Sequence, residues 1–374
     1  MAMYYFAKDI VRILNGTIHG NGNPDAVIRH LMIDSRSLAS AETSLFFALK
    51  GKRHDGHKFL TDAFQKRIRN FIVSELPQNI SEYNDCNFIL VKDTLSALQY
   101  LCANHRKKFN IPVLGITGSN GKTIVKEWLY QLMQGNHETG GGADKNIVRS
   151  PKSYNSQVGV PLSVWLMNEE NNLGIFEAGI SQPDEMERLE PIIAPTIGLI
   201  TNIGQAHDEN FLNSKQKIRE KLKLFIHVNT LIYCRDNLEL NEEIVANPVM
   251  RKLNLFTWSR KSKANLQIGQ PVKDGSETEL QGIFNNEFIR IKIHFIDDAS
   301  IENAIHCWAV MLFLGYPNKT IVERMLRLSP VAMRLELKEG INNCSIINDS
   351  YKFVSVASST LVDGIVWLFF ILSQ

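Results

Sequence analysis

Nine residues, GITGSNGKT from Gly115 to Thr123, leave this chain few folds to choose from. An apolar, strand-like run from Ile111 leads into them. A helical period follows in Ile124, Val125, Trp128, Leu129, Leu132 and Met133. Strand, glycine-rich turn and helix is the context of a phosphate-binding loop, where backbone N–H groups and a helix N-terminus face an anion. In such a loop Lys122 reaches the terminal phosphates and Thr123 can ligate Mg²⁺. The strict pattern G-x-x-x-x-G-K-[ST] would have glycine where Ile116 stands, and Gly118 is an extra glycine. ATP or GTP is the expected ligand; a chance glycine-rich turn is the competing reading.

Around the loop, strand and helix alternate. Pro112–Thr117, Gly174–Ala178, Thr196–Asn202, Thr230–Cys234 and Leu255–Trp258 read as strands of a mostly parallel sheet covered on both faces. Across Gln267–Ile296 shorter alternating runs (IRIKIHF) predict antiparallel pairing. Upstream, a helix-like start precedes short strands at Ile28–Ile33, Leu45–Leu49, Asn70–Val73 and Phe88–Val91, with a helix at Phe59–Arg67. Downstream, Asp297–Ser300 offers caps for a helix over Ile301–Leu314, closed by Gly315 and Pro317. A chain of 374 residues exceeds one core. The expected architecture is α/β in three domains: 1–108, 109–297 around the central parallel sheet, and 298–374.

Charge narrows the partners. With 41 basic and 39 acidic residues, nothing demands nucleic acid or an anionic membrane. The basic runs Arg106–Lys108 and Arg260–Lys263 lack interleaved stacking aromatics. Cys86, Cys102, Cys234, Cys307 and Cys344 form no C-x-x-C pair, which argues against a zinc site or disulfide framework and suits a reducing cytoplasm. The N-terminus lacks a signal-peptide layout, and the apolar run Gly364–Leu372 is too short to span a bilayer.

Ligands of open parallel sheets gather beyond the carboxyl ends of the strands. Here those ends offer the phosphate loop, Glu177 in FEAGIS and His207 in NIGQAHDENF, a donor set suited to Mg²⁺. Each has a plainer reading: Glu177 as a turn-capping carboxylate, His207 as a surface histidine. On a helix over Ser214–His227, Ile218, Leu222 and Phe225 share one face, Lys221 lies on its border and Lys223 points away. The default for Lys221 is to snorkel to water. The alternative is a partly buried amine whose lowered pKa favours a carbamate with CO₂, an extra metal ligand. Asp34-Ser35-Arg36 and GKRHDGH (Gly51–His57) are polar strand-end loops, credible for a diphosphate-bearing ligand or as ordinary turns.

Taken together, these motifs resemble the Mur ligases, ATP-dependent amide-forming enzymes of peptidoglycan precursor synthesis. The likeness runs from about residue 28 to 351. It rests on DSR (34–36), LFFALKG…DGHKF (45–59), GITGSNGKT, SYNSQVGVPLS (153–163), FEAGIS (176–181), TNIGQAH (201–207), Lys221-x-x-Leu-Phe, Asn303, Arg334 in MRLE and NDSY (348–351). The segment from Asn155 onward, without Thr-Thr-Pro, is similar to the member adding D-alanyl-D-alanine to UDP-N-acetylmuramoyl-tripeptide, in wording like a form fused to an alanine racemase. No racemase portion is present in the sequence.

The resemblance implies roles. Ser35, Arg36, Asn155 and Ser156 would contact the UDP-sugar substrate. Gly118, Ser119, Asn120, Gly121, Lys122 and Thr123 would cradle the phosphates of ATP. Thr123, Glu177, His207 and a carbamylated Lys221 would serve Mg²⁺, with Lys122, His207 and Lys221 central to catalysis. Asn303, Arg334 and Asp349 would contact ATP from the third domain. A cytoplasmic monomer is expected, acting on small molecules without nucleic acid or membrane.

After Tyr351 the sequence leaves the family pattern. Residues 352–374 match nothing expected, so the third, Rossmann-like domain is expected to be incomplete and activity reduced or absent. Two further readings stay open: a non-catalytic nucleotide- or UDP-sugar-binding remnant, and another amide ligase such as folylpolyglutamate synthase. The DSR and DGH motifs argue against the last.

Overall fold

A computed structural model describes residues 3–36, 40–51, 54–134, 145–204, 210–331, 336–339 and 345–348, the last two stretches as backbone. His207, Arg334, Asp349 and the 352–374 tail lie outside the described residues. The chain divides into two compact units. The first comprises Met1–Asn120, Gly135–Tyr233 and Asn237–Leu255; the second comprises Gly121–Gln134, Cys234–Asp236 and Phe256–Gln374.

Among the described residues the first unit holds a short antiparallel pair, Tyr5–Phe6 with Val27–Ile28, and strands of two larger sheets. One runs in the order Thr17–Gly20, Asn87–Leu90, Asn70–Val73, Ser44–Phe47, His30–Met32, antiparallel at its first pair and parallel thereafter. Its inner strands, NFIV and SLFF, are buried at every position, as strands covered on both faces must be. Phe71 stacks on Phe88 with centroids 4.9 Å apart, filling the space against the Leu60–Gln65 helix side of the core. In the other, the strands of this unit run parallel in the order Ile147–Arg149, Leu173–Glu177, Val113–Thr117, Ile197–Ile200, Thr230–Cys234. Helices Thr94–Arg106, Gly159–Val164 and Glu185–Ile193 pack on one another, and Ser214–Leu222 packs on Leu238–Ala246. Parallel strands need such crossovers, so every one of these strands delivers its carboxyl end to the same edge.

The second unit holds the Lys122–Met133 helix and the antiparallel strands expected from the alternating runs. Glu277–Phe284 and Glu287–Ile293 form a hairpin turned by Asn285 and Asn286, at φ 49° and 66°. Two positive φ values suit a two-residue turn whose twist matches the strands, and asparagine tolerates them. Asp297 caps the Asp298–Phe313 helix by accepting from the Ser300 N–H at 2.8 Å. That helix packs against Lys122–Met133, where the Cys307 thiol meets the Val125 carbonyl at 3.8 Å. Arg324 donates to the Leu132 carbonyl at 2.7 Å, satisfying a helix-end acceptor.

Most expected strands appear within a residue or two of their anticipated bounds. The Ser214–His227 helix ends as α-helix at Leu222 and continues as a tighter turn over Lys223–Phe225. The strands Thr17–Gly20 and Ile147–Arg149 had no apolar run to announce them, since they are short, half-exposed and carried by their pairing. No helix among the described residues is long and apolar enough to cross a membrane.

Candidate active site

Strand Val113–Thr117 ends at Gly118, whose φ of +148° is a conformation that side chains rarely adopt. A Cβ there would lie 2.0 Å from the Thr201 hydroxyl, so the close approach of two loops also requires glycine. From Gly118 the loop zips to the segment following Ile197–Ile200. The Ser119 N–H donates to the Asn202 carbonyl at 2.8 Å, and the Asn120 N–H to Asn202 Oδ1 at 3.0 Å. Thr201 Oγ1 donates to the Asn120 carbonyl at 2.6 Å, and Ser119 Oγ to the Gly204 carbonyl at 3.1 Å. Irregular backbone at a sheet edge needs such partners. Here they fix the first half of the phosphate loop before any ligand arrives.

Lys221 departs from the snorkelling default. It is buried, and its Nζ donates to the Gly118 carbonyl at 3.2 Å. The cause is the helix's placement: Ile218 and Leu222 face the core, and the border position of Lys221 turns toward the loop instead of solvent. Lys223, the residue expected to point away, does so. It pairs with Asp184, Glu187 and Glu220 at 3.2, 2.7 and 2.8 Å, and these partners outweigh partial burial to hold its pKa above the usual lysine value.

Glu177 ends its strand fully buried, one position from the Ala178 N–H that donates to the Ile116 carbonyl at 2.8 Å. Thr117 Oγ1 returns a bond to the Ala178 carbonyl at 2.9 Å. Asn155 lies beside this strand end, its carbonyl accepting from the Gly179 N–H at 2.8 Å. Ser156 accepts from the Gly159 N–H at 3.1 Å and so helps begin the Gly159–Val164 helix. In the first unit, then, the structure gathers Gly118–Asn120 with Lys221 and sets Glu177 and Asn155 at the neighbouring strand end.

The second unit carries the rest of the loop. Gly121 precedes the Lys122–Met133 helix at φ +81°, and a Cβ there would lie 2.3 Å from Asn303 Oδ1. Asn303 is buried on the Asp298–Phe313 helix, beside the start of the helix that bears Lys122 and Thr123. Thus Asn303 adjoins the phosphate loop through helix packing inside one compact unit.

The upstream polar loops are internally bonded. Arg36 forms a two-point pair with Asp34, Nε to Oδ1 at 2.9 Å and Nη2 to Oδ2 at 2.7 Å, which lowers the Asp34 carboxyl to about 2. Ser35 is buried, its side chain bonded to Asp62 and its carbonyl accepting from Lys66 at 3.0 Å. His57 is held between Asp55 Oδ1 at 2.7 Å and the Ser74 N–H, which donates to His57 Nε2 at 3.0 Å. That places the imidazole proton on Nδ1 and makes the DGH motif a pin between its loop and the Asn70–Val73 strand.

The residues also fit the divalent cation that the sequence implied. A buried carboxylate and a glycine cradle stand at one sheet edge, and oxygen donors of this kind suit Mg²⁺. Among the described residues no group of three His, Cys, Asp or Glu side chains could hold a metal by itself. A Mg²⁺ site here would therefore draw on hydroxyl and phosphate oxygens as well. Sequence reading quoted Thr201 and Asn202 within TNIGQAH without giving either a role, and passed over Lys217. The first two were legible as polar residues directly following an apolar strand, and Lys217 as the residue one helical turn before Lys221.

Comparison with known proteins gives the same picture. The profile of the Mur ligase middle domain matches residues 116–311, more than half of the chain. A UDP-N-acetylmuramoyl-tripeptide–D-alanyl-D-alanine ligase of Bacillus subtilis strain 168 is 29% identical over 348 residues, covering 92% of this chain and 71% of that protein. Among solved structures, MurF from Acinetobacter baumannii superposes with a TM-score of 0.80 at 21% identity, over 93% of this chain and 73% of that one. MurF ligase from Thermotoga maritima in complex with ADP gives 0.72 at 22% identity, over 86% and 70%. A phosphate loop closed on a buried helical lysine, on this fold and with this sequence match, leads to one conclusion: the chain belongs to the Mur ligase family.

Proposed function

We propose that the chain is an ATP-dependent ligase joining D-alanyl-D-alanine to UDP-N-acetylmuramoyl-tripeptide. The observation that carries this is the buried Lys221 Nζ, which donates at 3.2 Å to the Gly118 carbonyl of a loop already shaped for phosphates. The relative from Bacillus subtilis bears this activity in its name, and the Thermotoga maritima neighbour holds ADP. Buried cysteines outside any disulfide at Cys86, Cys102, Cys234 and Cys307 suit a cytoplasmic enzyme.

In this reading Gly118 to Thr123 receive the phosphates, with Lys122 on the β and γ groups. Thr123 and Glu177 would hold Mg²⁺, joined by His207 and by Lys221 as its carbamate; the cation would neutralise phosphate charge. Ser35, Arg36, Asn155 and Ser156 would meet the UDP-sugar, and Asn303, Arg334 and Asp349 the nucleotide. The tripeptide carboxylate attacks the γ-phosphorus, and ADP leaves. The amine of D-alanyl-D-alanine then attacks the acyl carbon of the acyl phosphate, and inorganic phosphate departs with the bonding pair. The protein's work is to position anions and offset their repulsion.

The test is ADP release measured with each acceptor omitted in turn. Release requiring both UDP-N-acetylmuramoyl-tripeptide and D-alanyl-D-alanine supports the ligase. ATP binding without coupled release supports a nucleotide-binding remnant, and no ATP binding removes the phosphate-loop reading altogether.

A further inference from the structure

Lys217 has no assigned part in the site described above, yet it is buried to 1% exposure on the Ser214–Leu222 helix. It stands four residues before Lys221, on the same helical face. Removing an ammonium from water is costly unless it gains a partner. The Lys217 ammonium donates to the Gly204 carbonyl. That same oxygen accepts from Ser119 Oγ of the phosphate loop at 3.1 Å. The shared acceptor links a helix, the segment after Ile197–Ile200 and the loop.

We propose that Lys217 is a positioning residue for nucleotide binding. It clamps Gly204 so that Ser119, and with it the path of the loop backbone, stays fixed for the phosphates of ATP. Gly204 belongs to a stretch without regular secondary structure, where a carbonyl is free to turn unless something holds it. Lys221 bonds the loop at Gly118 and Lys217 bonds Gly204, so one helical face holds the turn at two points. The inference rests on the phosphate-loop reading and adds to it a second buried lysine.

The experiment is a double-mutant cycle on the full chain, with Mg·ATP affinity measured by calorimetric titration. Lys217→Met is expected to weaken ATP by about tenfold, the equivalent of about 1.4 kcal/mol. Ser119→Ala is expected to weaken it by about threefold in the wild type and by much less in the Lys217→Met background, because both act through Gly204. Lys217→Arg, which retains a charged donor, should recover part of the loss. Additive effects in the cycle would overturn the proposal, since a merely structural lysine predicts them. If Lys217→Met does not fold, Ser119→Ala alone decides: unchanged ATP affinity overturns the linkage. Wild-type protein that binds no ATP refutes the phosphate-loop reading instead, which keeps the two failures apart.

Discussion

Gly118→Ala is the sharpest perturbation that this site allows. Alanine would have to occupy φ +148°, a conformation costing on the order of 1–3 kcal/mol outside glycine. Its methyl would also lie 2.0 Å from Thr201 Oγ1 and 3.1 Å from both the N and O of Asn202. Two of those three atoms are backbone, so the strain cannot be shed by a side-chain rotation alone. Overpacking of this kind costs about 1–3 kcal/mol. Moving Thr201 also breaks its bond to the Asn120 carbonyl, worth about 1 kcal/mol. The combined loss is about 3–7 kcal/mol, which at about 2–4 °C per kcal/mol lowers the melting temperature by about 6–28 °C. ATP affinity, read by calorimetric titration, should fall with it by about 100-fold, because the loop backbone loses the course that presents the helix N-terminus to the phosphates. Adding Thr201→Ala removes the hydroxyl from the clash and should return part of the stability, leaving the backbone strain. Gly275→Ala is the control, since φ there is +55° with no atom within 4 Å of the new methyl. It should cost only about 1 kcal/mol and spare ATP binding. A Gly118→Ala protein with wild-type melting temperature and wild-type ATP affinity would refute the reasoning.

Two other outcomes are expected. Glu177→Gln should leave the fold intact, since the amide is nearly isosteric, while abolishing the gain in ATP affinity on adding Mg²⁺; a preserved Mg²⁺ dependence would remove Glu177 from the cation site. His105 gives a pH signature: burial lowers its pKa to about 4, and it is held neutral between Tyr5 at 2.8 Å and the Met167 carbonyl at 3.0 Å. The unfolded chain takes up that proton near pH 6.5, so stability is full above this value and falls as the pH drops toward 4, by about 3 kcal/mol in total. Urea denaturation at pH 7 and pH 5 should show the loss, and His105→Gln should flatten this part of the pH dependence.

The phosphate loop, Glu177 and Lys221 could be read from the sequence because each belongs to a short contiguous pattern: strand, turn and helix, a strand end, or one helical face. The same holds for the central parallel sheet, whose strands are apolar runs separated by helical periods. Patterns of that kind record a residue's own element. They do not record which element it meets. Burial of Lys221 went against its sequence default because the direction of a border residue depends on what packs beside the helix. Ser35 was read as a substrate contact, and its side chain also bonds Asp62, a partner that the DSR motif does not specify.

The amino-acid sequence by itself determined that a glycine-rich turn would leave one parallel strand and enter one helix, since local periodicity and glycine chemistry are properties of neighbouring residues. Only the tertiary structure decided that Gly118 must accommodate Thr201, that Gly121 must accommodate Asn303, and that Lys217 and Lys221 would end on loop carbonyls. Apart from Lys217 and Gly204, which are 13 positions apart, these are contacts between residues about 80 to 180 positions apart, fixed by sheet order and helix packing, and chain-local propensity carries no information about them.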